Sequence, residues 1–460
     1  MLQNKLRRRM LFFALAWCVP FLSIAQELDP ALKALVAKGL QKSHSVNAFE
    51  LDAKLAKVDQ NLAKSVFLPK VTLSGSYTRL NDDITFDSDT QKLLIGTQKL
   101  LIKEAIGLPF NAAFPANIPL TAVPNLQNQD ILKSAVDLDW VLFSGFEASH
   151  ALKASKHKEA SLNYLGNAEK DKIALKIIET YDKLALVNAS ERVLKTSKNY
   201  LIEQEYYVRK AIENGLATPI SRKKIELAQQ QLASKELEFK HNKILLVEVL
   251  HQLTGENKSD LALLNPQLSS FSINTISNSD KRNEIKALEE AEQATIFKAK
   301  MEKSNFIPKV AIKGHYEFIE DDLSLLDPKW YVAAGIKWNV FDGMQSRLKS
   351  QKSQIESQKY RQQIEEAEEM IALSSIKAEL NYESALQNSL IVQKEIELAS
   401  ATYEMVDKQY KNNLASINDV LDALNDLEKA KFKLEESYFN QRRASTDLLH
   451  AKGLLTSLYN

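Results

Sequence analysis

Two aspartates, Asp419 and Asp422, are the residues whose type and spacing best fit a chemical task. They stand three residues apart at the start of a segment with helical periodicity, which places both carboxylates on one face. Acids near a helix N-terminus are also favoured by the helix dipole, so Asp419 has an equally good explanation as a cap residue. Repeated around a symmetry axis, such carboxylates repel each other and bind cations, which predicts a narrow, cation-sensitive gate.

Catalytic chemistry is not indicated elsewhere in the sequence. The seven histidines are scattered, without i, i+4 pairs or carboxylates at ligand spacing. There is no glycine-rich phosphate loop, nucleophile elbow or zinc spacing. A formal charge of +1 provides no basic field for nucleic acid. We therefore predict a protein that is not an enzyme, uses no cofactor or metal, and does not bind nucleic acid.

The segment that carries the two aspartates, Met344 to Lys452, contains no glycine or proline and occurs twice in the chain. The pattern W-x-x-F-x-G at 140–145 recurs at 338–343, a displacement of 198 residues (338 − 140). Upstream, F-[LI]-P-K-V at 67–71 recurs at 306–310, a displacement of 239 (306 − 67). The 41-residue difference (239 − 198) is an insertion in the first copy. An ordered match of this length predicts an internal duplication.

Each copy is predicted to end in a long helical hairpin, at 146–254 and 344–452. The tips are Gly215-Leu216-Ala217-Thr218, followed by proline, and Asn413-Leu414-Ala415-Ser416. Glycine or asparagine suits a left-handed helix end, and threonine or serine caps the next helix, so turn chemistry alone explains both tips. A functional interpretation adds that a small, exposed tip is a surface on which another helical hairpin could dock.

Coiled-coil spacing supports the second hairpin. A 3-4-3-4 pattern precedes the tip and resumes after it; its members are Ile396, Ala399, Tyr403, Val406, Tyr410, Ile417, Val420, Leu424 and Leu427. The first hairpin has Ser221 and Lys224 at the positions of Asp419 and Asp422, so the predicted gate belongs to the second hairpin only.

The hydrophobic period changes from 3.6 to 2 at Pro69 and Pro308, which mark helix-to-strand junctions, whereas Gly145 and Gly343 mark the return to helix. Two β-hairpins are predicted, at 70–143 and 309–341, with the last strand extending through Val340. Each has one apolar and one charged face, with aromatic residues near the ends. This pattern is typical of lipid-facing barrel strands around a wet lumen, although a half-buried sheet in a soluble domain gives the same alternation.

Four strands per chain are too few to close a barrel, and an open edge in lipid leaves backbone groups unsatisfied. The membrane interpretation therefore requires copies to pool their strands. A three-fold ring would give twelve strands, but the number three does not follow from the sequence alone. The insertion, in a loop at 79–132 with a helix near Lys92–Ile106, is predicted to lie on the outer surface, with a constriction at the pore mouth as the less favoured alternative.

The first 25 residues read as an export signal. Basic residues at 5–9 precede an apolar run and the small-residue site Ser23-Ile24-Ala25, and the single cysteine, Cys18, lies inside this segment. The general secretory route is favoured over a twin-arginine route. The predicted organisation is then a signal peptide at 1–25, a first repeat at 26–255, a connector at 256–280 and a second repeat at 281–460.

The doubled order of helix, proline-marked strand pair and long hairpin resembles the TolC-like outer membrane efflux proteins over essentially the whole mature chain. The matching motifs are the two F-[LI]-P junctions, the two F-x-G turns and the run Ser416–Ala423. This resemblance implies a mainly helical chain with a membrane β-barrel portion. Three copies would form a twelve-stranded barrel in the outer membrane and an α-helical tunnel through the periplasm.

By the same resemblance, Asp419 and Asp422 fall on the family's periplasmic gate acids, and the two tips fall on its adaptor-docking surfaces. Asn413 stands where the family commonly has glycine, and Ala415 where a gate-bracing arginine can occur. The implied partners are a periplasmic adaptor and an inner-membrane transporter.

The implied function is a passive export duct for small toxic compounds, or for proteins if the partner is a secretion ATPase. A secreted coiled-coil scaffold without a pore is the alternative, since it would keep the helical seams but would not need alternating strands. A periplasmic adaptor should contain one helical hairpin between small β-domains, and the duplication argues against it.

Overall fold

The computed structural model describes residues 29–268, 281–319 and 328–459, so the predicted signal peptide and part of the predicted connector lie outside the described residues. In chain order the helices are α1 (Pro30–Lys42), α2 (His44–Ser65), α3 (Ser88–Ala105), α4 (Glu147–Glu213), α5 (Pro219–Thr254), α6 (Lys258–Ala262), α7 (Asn283–Lys303), α8 (Gln345–Lys411), α9 (Ile417–Ala451) and α10 (Thr456–Tyr459). The strands are β1 (Lys70–Arg79), β2 (Asp130–Phe143), β3 (Lys309–Ile319) and β4 (Trp330–Lys337), with a 3-10 turn at Ser304–Phe306.

The duplication seen in the sequence is present in the helices. Helices α4 and α8 both contain 67 residues, and their first residues are 198 positions apart (345 − 147). The returning helices α5 and α9 contain 36 and 35 residues. A helix of 67 residues measures about 100 Å along its axis. The predicted long hairpins are therefore confirmed in type and length.

The chain divides into two compact units. One contains the described residues of Met1–Lys54, Glu159–Ala291 and Tyr360–Asn460, and the other contains Leu55–Lys158 and the described residues of Glu292–Lys359. Each unit draws on both halves of the chain. The predicted division into two repeats and a connector stays a prediction. Among the described helices, none is both long and apolar enough to cross a membrane.

The strands form one antiparallel sheet in the order β1-β2-β3-β4, so β1 and β4 are its edges. β1 pairs with β2 from Lys70↔Asp139 to Arg79↔Asp130. The prediction that the last strand continues through Val340 is wrong, because β4 ends at Lys337. Lys337 pairs with Lys309, the first residue of β3 after Pro308, so no residue of β3 remains to pair with positions beyond 337.

The helices α4, α5, α8 and α9 enclose an apolar core near the hairpin turns. The predicted seam is confirmed there, since Tyr403 on α8 and Ile417, Val420 and Leu424 on α9 are buried in one cluster. Leu201 and Val208 of α4 and Ile225 of α5 complete that cluster. A second cluster packs α1 and the C-terminal α10 against α4 and α5.

A buried ion pair lies at the second cluster, since Asp182 stands between Tyr181 and Leu184 of that cluster on α4. The Arg442 Nε of α9 donates to Asp182 Oδ1 of α4 at 2.5 Å, and both side chains are 4% exposed. A buried pair adds little net stability, but losing one member leaves an uncompensated charge in the interior. This contact therefore fixes where α9 lies along α4.

We expect Arg442→Leu to destabilise the protein by about 3–5 kcal/mol, because Asp182 stays buried without its cation. The double variant Asp182→Leu with Arg442→Leu should lose less unfolding free energy than Arg442→Leu alone, since no unpaired charge is then buried. Urea unfolding of the purified protein in detergent, followed by circular dichroism, measures both. The single variant Asp182→Leu completes the comparison. If the losses in unfolding free energy of the two single variants simply add in the double variant, the two side chains do not interact, and the buried ion pair is contradicted.

Candidate functional site

The two hairpin turns share one backbone geometry. Gly215 and Asn413 both have positive φ, at 73° and 62°, as predicted for left-handed helix ends. Each is followed by a leucine whose N–H returns to the helix. The bonds are Gly215 N to Ile212 O (3.0 Å), Leu216 N to Ala211 O (2.8 Å), Asn413 N to Tyr410 O (2.9 Å) and Leu414 N to Gln409 O (2.8 Å). This pair of bonds is the Schellman motif.

The turns present an exposed leucine each, Leu216 at 64% and Leu414 at 79% exposure. Thr218 occupies the N-cap of α5 without a side-chain cap bond, and Pro219 is the first residue of that helix, as predicted. Both tips are thus small and exposed. Whether an adaptor docks on them stays a prediction.

Asp419 belongs to a capping box with Ser416. Its Oδ2 accepts from Ser416 N and from Ser416 Oγ, both at 2.7 Å, and Asp419 N donates to Ser416 Oγ at 3.3 Å. These bonds lower the pKa of Asp419 below its usual value, because they favour the ionised carboxylate. The side chain of Asp419 is thus used in helix capping, one of the two explanations open from the sequence.

Asp422 lies one turn further along α9 and is exposed. It lines a groove between α5 and α9 together with Lys224 and Asn418. Within the described residues its carboxylate makes no hydrogen bond or ion pair. Lys224 Nζ instead donates to Asn418 Oδ1 at 2.7 Å, a contact between the two hairpins that the sequence analysis did not anticipate.

The helix-to-strand junctions are closed by tryptophan. Trp140 Nε1 donates to the Phe67 carbonyl at 2.9 Å, and Trp338 Nε1 donates to the Phe306 carbonyl at 3.0 Å. Each acceptor lies two residues before the junction proline, where the helical bonds have ended. The sequence shows the tryptophans as repeated residues but does not show that their indole N–H groups bind these carbonyl oxygens. Their recurrence together with the F-[LI]-P motif was the available signal.

The return from strand to helix also has the same backbone in both halves but different surroundings. Gly145 and Gly343 have φ of 64° and 66°, and the residue after each also has positive φ. A Cβ on Gly145 would lie 3.0 Å from the Ile307 carbonyl oxygen and 3.2 Å from the Ser304 carbonyl oxygen. A Cβ on Gly343 would meet nothing within 4 Å.

The sheet has an apolar face that is open to the surroundings. The register places Val71 opposite Leu138, Leu138 opposite Gly314, and Gly314 opposite Val332, so one face runs across all four strands. Its members are largely exposed; they include Val71, Leu73, Tyr77, Trp140, Tyr316, Trp330, Val332 and Ile336. The alternation predicted from the sequence is confirmed, and this face is not the inside of a soluble core.

The opposite face is charged. His315 Nδ1 lies 3.0 Å from Asp137 Oδ1, and Lys313 Nζ lies 3.7 Å from the same oxygen. Lys133 and Glu317 approach to 4.0 Å on the same side. Across the part of the chain that the structure describes, no three His, Cys, Asp or Glu side chains are arranged to hold a metal.

The chain thus combines very long helical hairpins with a four-stranded sheet that has one exposed apolar face and one charged face. Solved structures share this fold. The outer membrane protein VceC from Vibrio cholerae superposes with a TM-score of 0.70 at 17% identity, covering 92% of this chain and 96% of VceC. The Campylobacter jejuni CmeC outer membrane channel gives 0.69 at 15% identity, covering 93% and 86%.

The open state of the Neisseria gonorrhoeae MtrE outer membrane channel gives a TM-score of 0.68 at 13% identity, covering 92% of this chain and 90% of MtrE. The sequence matches no protein-family model and no curated protein. The chain therefore has the fold of these outer membrane channels, and the TolC-like fold expected from the sequence is confirmed.

The two return glycines provide a matched pair of substitutions. We expect Gly343→Ala to cost about 1–2 kcal/mol, because alanine is strained in the left-handed region. Gly145→Ala should cost more, since the added methyl group must also displace the Ile307 and Ser304 backbone. Thermal unfolding of both variants in detergent measures the difference. Equal losses would contradict the close packing at Gly145.

Proposed function

We propose that this chain is the outer membrane channel of an export system, in which three copies form one continuous duct. The observation that carries the proposal is the sheet. It has an apolar face open to its surroundings, and its two edge strands, β1 and β4, lack a second strand partner among the described residues. In lipid, such edges must be paired. Edge pairing between three copies of this four-stranded sheet gives the twelve-stranded barrel expected from the resemblance.

Strand lengths support a membrane location. Strands β1, β2 and β3 contain 10, 14 and 11 residues. A tilted strand needs about 9–11 residues to cross the hydrocarbon layer. Strand β4 contains 8 residues and stops where β3 begins. The charged face with Asp137, Lys313 and His315 would then line the lumen.

Exposed seams on the helices support the oligomer. On α2, apolar residues follow a 4-3-4 spacing and are more than half exposed; they are Leu51, Leu55, Val58 and Leu62. On α8, a second apolar stripe lies apart from the buried seam that includes Tyr403, and its members are Leu373, Leu380, Ile391, Leu398 and Met405. Coiled-coil stripes of this kind pack against other helices. Neighbouring copies would supply them and complete an α-helical tunnel in the periplasm.

Asp419 and Asp422 would form the gate at the periplasmic end, and the exposed tips would bind a periplasmic adaptor that connects the duct to an inner-membrane transporter. The tips are Gly215–Thr218 and Asn413–Ser416. Energy would come from these partners, and this chain would provide a passive path. Small toxic compounds or secreted proteins are the cargo classes. Only Asp422 has its carboxylate free of a cap, so it is the better placed of the two to face the lumen.

The oligomer is tested by native mass spectrometry of the mature protein extracted from outer membranes in detergent. We expect a closed ring, because each four-stranded sheet needs neighbours on both edges, and the resemblance implies that this ring is a trimer. We also expect ion conductance after reconstitution in planar bilayers. A monomer that stays soluble without detergent would overturn the proposal.

The gate is tested by single-channel recording. Asp419→Ala with Asp422→Ala should raise conductance and weaken block by divalent cations, because a ring of carboxylates is removed. Ser416→Ala is the matched control, since it breaks the capping box and leaves both charges. Asp422→Asn alone should reproduce most of the effect. If conductance and block stay at wild-type values in the double variant, the gate lies elsewhere.

A further inference from the structure

Helix α3, in the loop between β1 and β2, has an apolar face that its own loop does not cover. Its residues Leu93, Leu94, Leu100 and Leu101 are 41–68% exposed, and no residue of the helix is buried. Ile95 and Ile102, on the other side, are half-buried against the loop. The helix is therefore apolar on its outward side as well as its inward side, which water alone does not favour.

Three lysines border the outward leucines. Lys92 and Lys99 each directly precede a leucine pair, in the repeated run Q-K-L-L-I at 91–95 and 98–102. Successive residues are about 100° apart around a helix, so Lys92, Lys99 and Lys103 form a stripe beside the leucine face. Lys103 Nζ donates to the carbonyl groups of residues 110 and 112 in the loop, which leaves Lys92 and Lys99 as the lysines that can reach outward. Asp89 and Glu104 are the acids on the leucine side, and Asp89 Oδ1 lies 3.2 Å from Lys92 Nζ. Leucine on one face and lysine at its border is the pattern of a helix lying in a membrane surface.

The sheet determines where this helix lies along the membrane normal. The ten residues of β1 span about 33 Å, enough to cross the hydrocarbon layer. At the outer end, Tyr77 Oη donates to Asp130 Oδ1 at 2.6 Å, and Arg79 lies 3.6 Å from the same oxygen. An aromatic hydroxyl and an ion pair at this point are typical of the water boundary.

Beyond Arg79 the chain moves only a short distance further along the strand direction before α3 begins. Leu80 N donates to Gln129 O, and Ile84 N donates to Gln127 O, at 2.7 and 2.8 Å. The five residues 80–84 on one side thus face only the three residues 127–129 on the other, and the two steps between 127 and 129 advance roughly 7 Å along the strand. The headgroup layer on each side of a bilayer is about 5–8 Å thick. Asp87 caps α3 three residues after Ile84, so α3 starts at headgroup level.

We propose that α3 lies on the outer leaflet of the membrane, with its leucines in the acyl boundary and with Lys92 and Lys99 at the lipid phosphates. The inference rests on the proposed function, which puts the sheet in the membrane. A second copy is the competing occupant, but it would bring lysine stripes together around the axis, whereas lipid phosphates attract them.

Site-directed spin labelling tests the proposal on the whole protein in nanodiscs. The one cysteine of the sequence lies in the predicted signal peptide, so single labels at Leu101→Cys, Leu73→Cys and Lys92→Cys are unique. Lys92 lies nine residues before Leu101, about half a turn away around the helix. Collision rates with oxygen, which concentrates in lipid, and with a water-soluble nickel chelate are then compared.

We expect the labels at Leu101 and Leu73 to collide with oxygen more than with nickel, and the label at Lys92 to show the reverse. A label at Leu101 that favours nickel, or that is shielded from both, would place α3 in water or against another copy and overturn the inference. A label at Leu73 that fails to favour oxygen would overturn the proposed function itself. Lys92→Gln with Lys99→Gln should lower the oxygen preference at Leu101 in anionic nanodiscs and leave that at Leu73 unchanged.

Discussion

The structure depends on backbone hydrogen bonds that the edges of the sheet leave unmade. Within the described residues, strands β1 and β4 each pair on one side only, and the sheet that they border exposes an apolar face. In water such an edge can bind solvent, but in lipid each unpaired N–H or C=O costs several kcal/mol. The exposed apolar stripes on α2 and α8 are likewise uncovered among the described residues. With the sheet in a membrane, as proposed, a single copy would leave these edges and stripes without partners.

The duplication preserves backbone conformation more strictly than residue identity. Left-handed residues recur at matching positions in both halves, as Gly215 with Asn413 and Gly255 with Gly453. The two junction tryptophans make the same indole bond to a phenylalanine carbonyl. The residues attached to these turns and junctions differ between the halves. The second half has a capping box and two aspartates, and the first half has a long loop with its own helix.

Periodicity predicted most of the fold, because the change from period 3.6 to period 2 at Pro69 and Pro308 is a local property of the chain. The hairpin tips were also readable, since Gly215 and Asn413 are residues that tolerate positive φ. The end of β4 could not be predicted from its own residues, because it is set by the position at which β3 begins. The indole bonds of Trp140 and Trp338 join residues far apart in sequence, and the capping box of Asp419 was one of two explanations that local sequence could not separate.

The unequal surroundings of Gly145 and Gly343 have an evolutionary consequence. The first position is enclosed by the Ile307 and Ser304 backbone, whereas the second is open. Asparagine already holds a left-handed position at residue 413. A side chain that tolerates positive φ, such as asparagine, is therefore accommodated at residue 343 but meets the backbone at residue 145, so descendants of this gene should lose the second glycine long before the first.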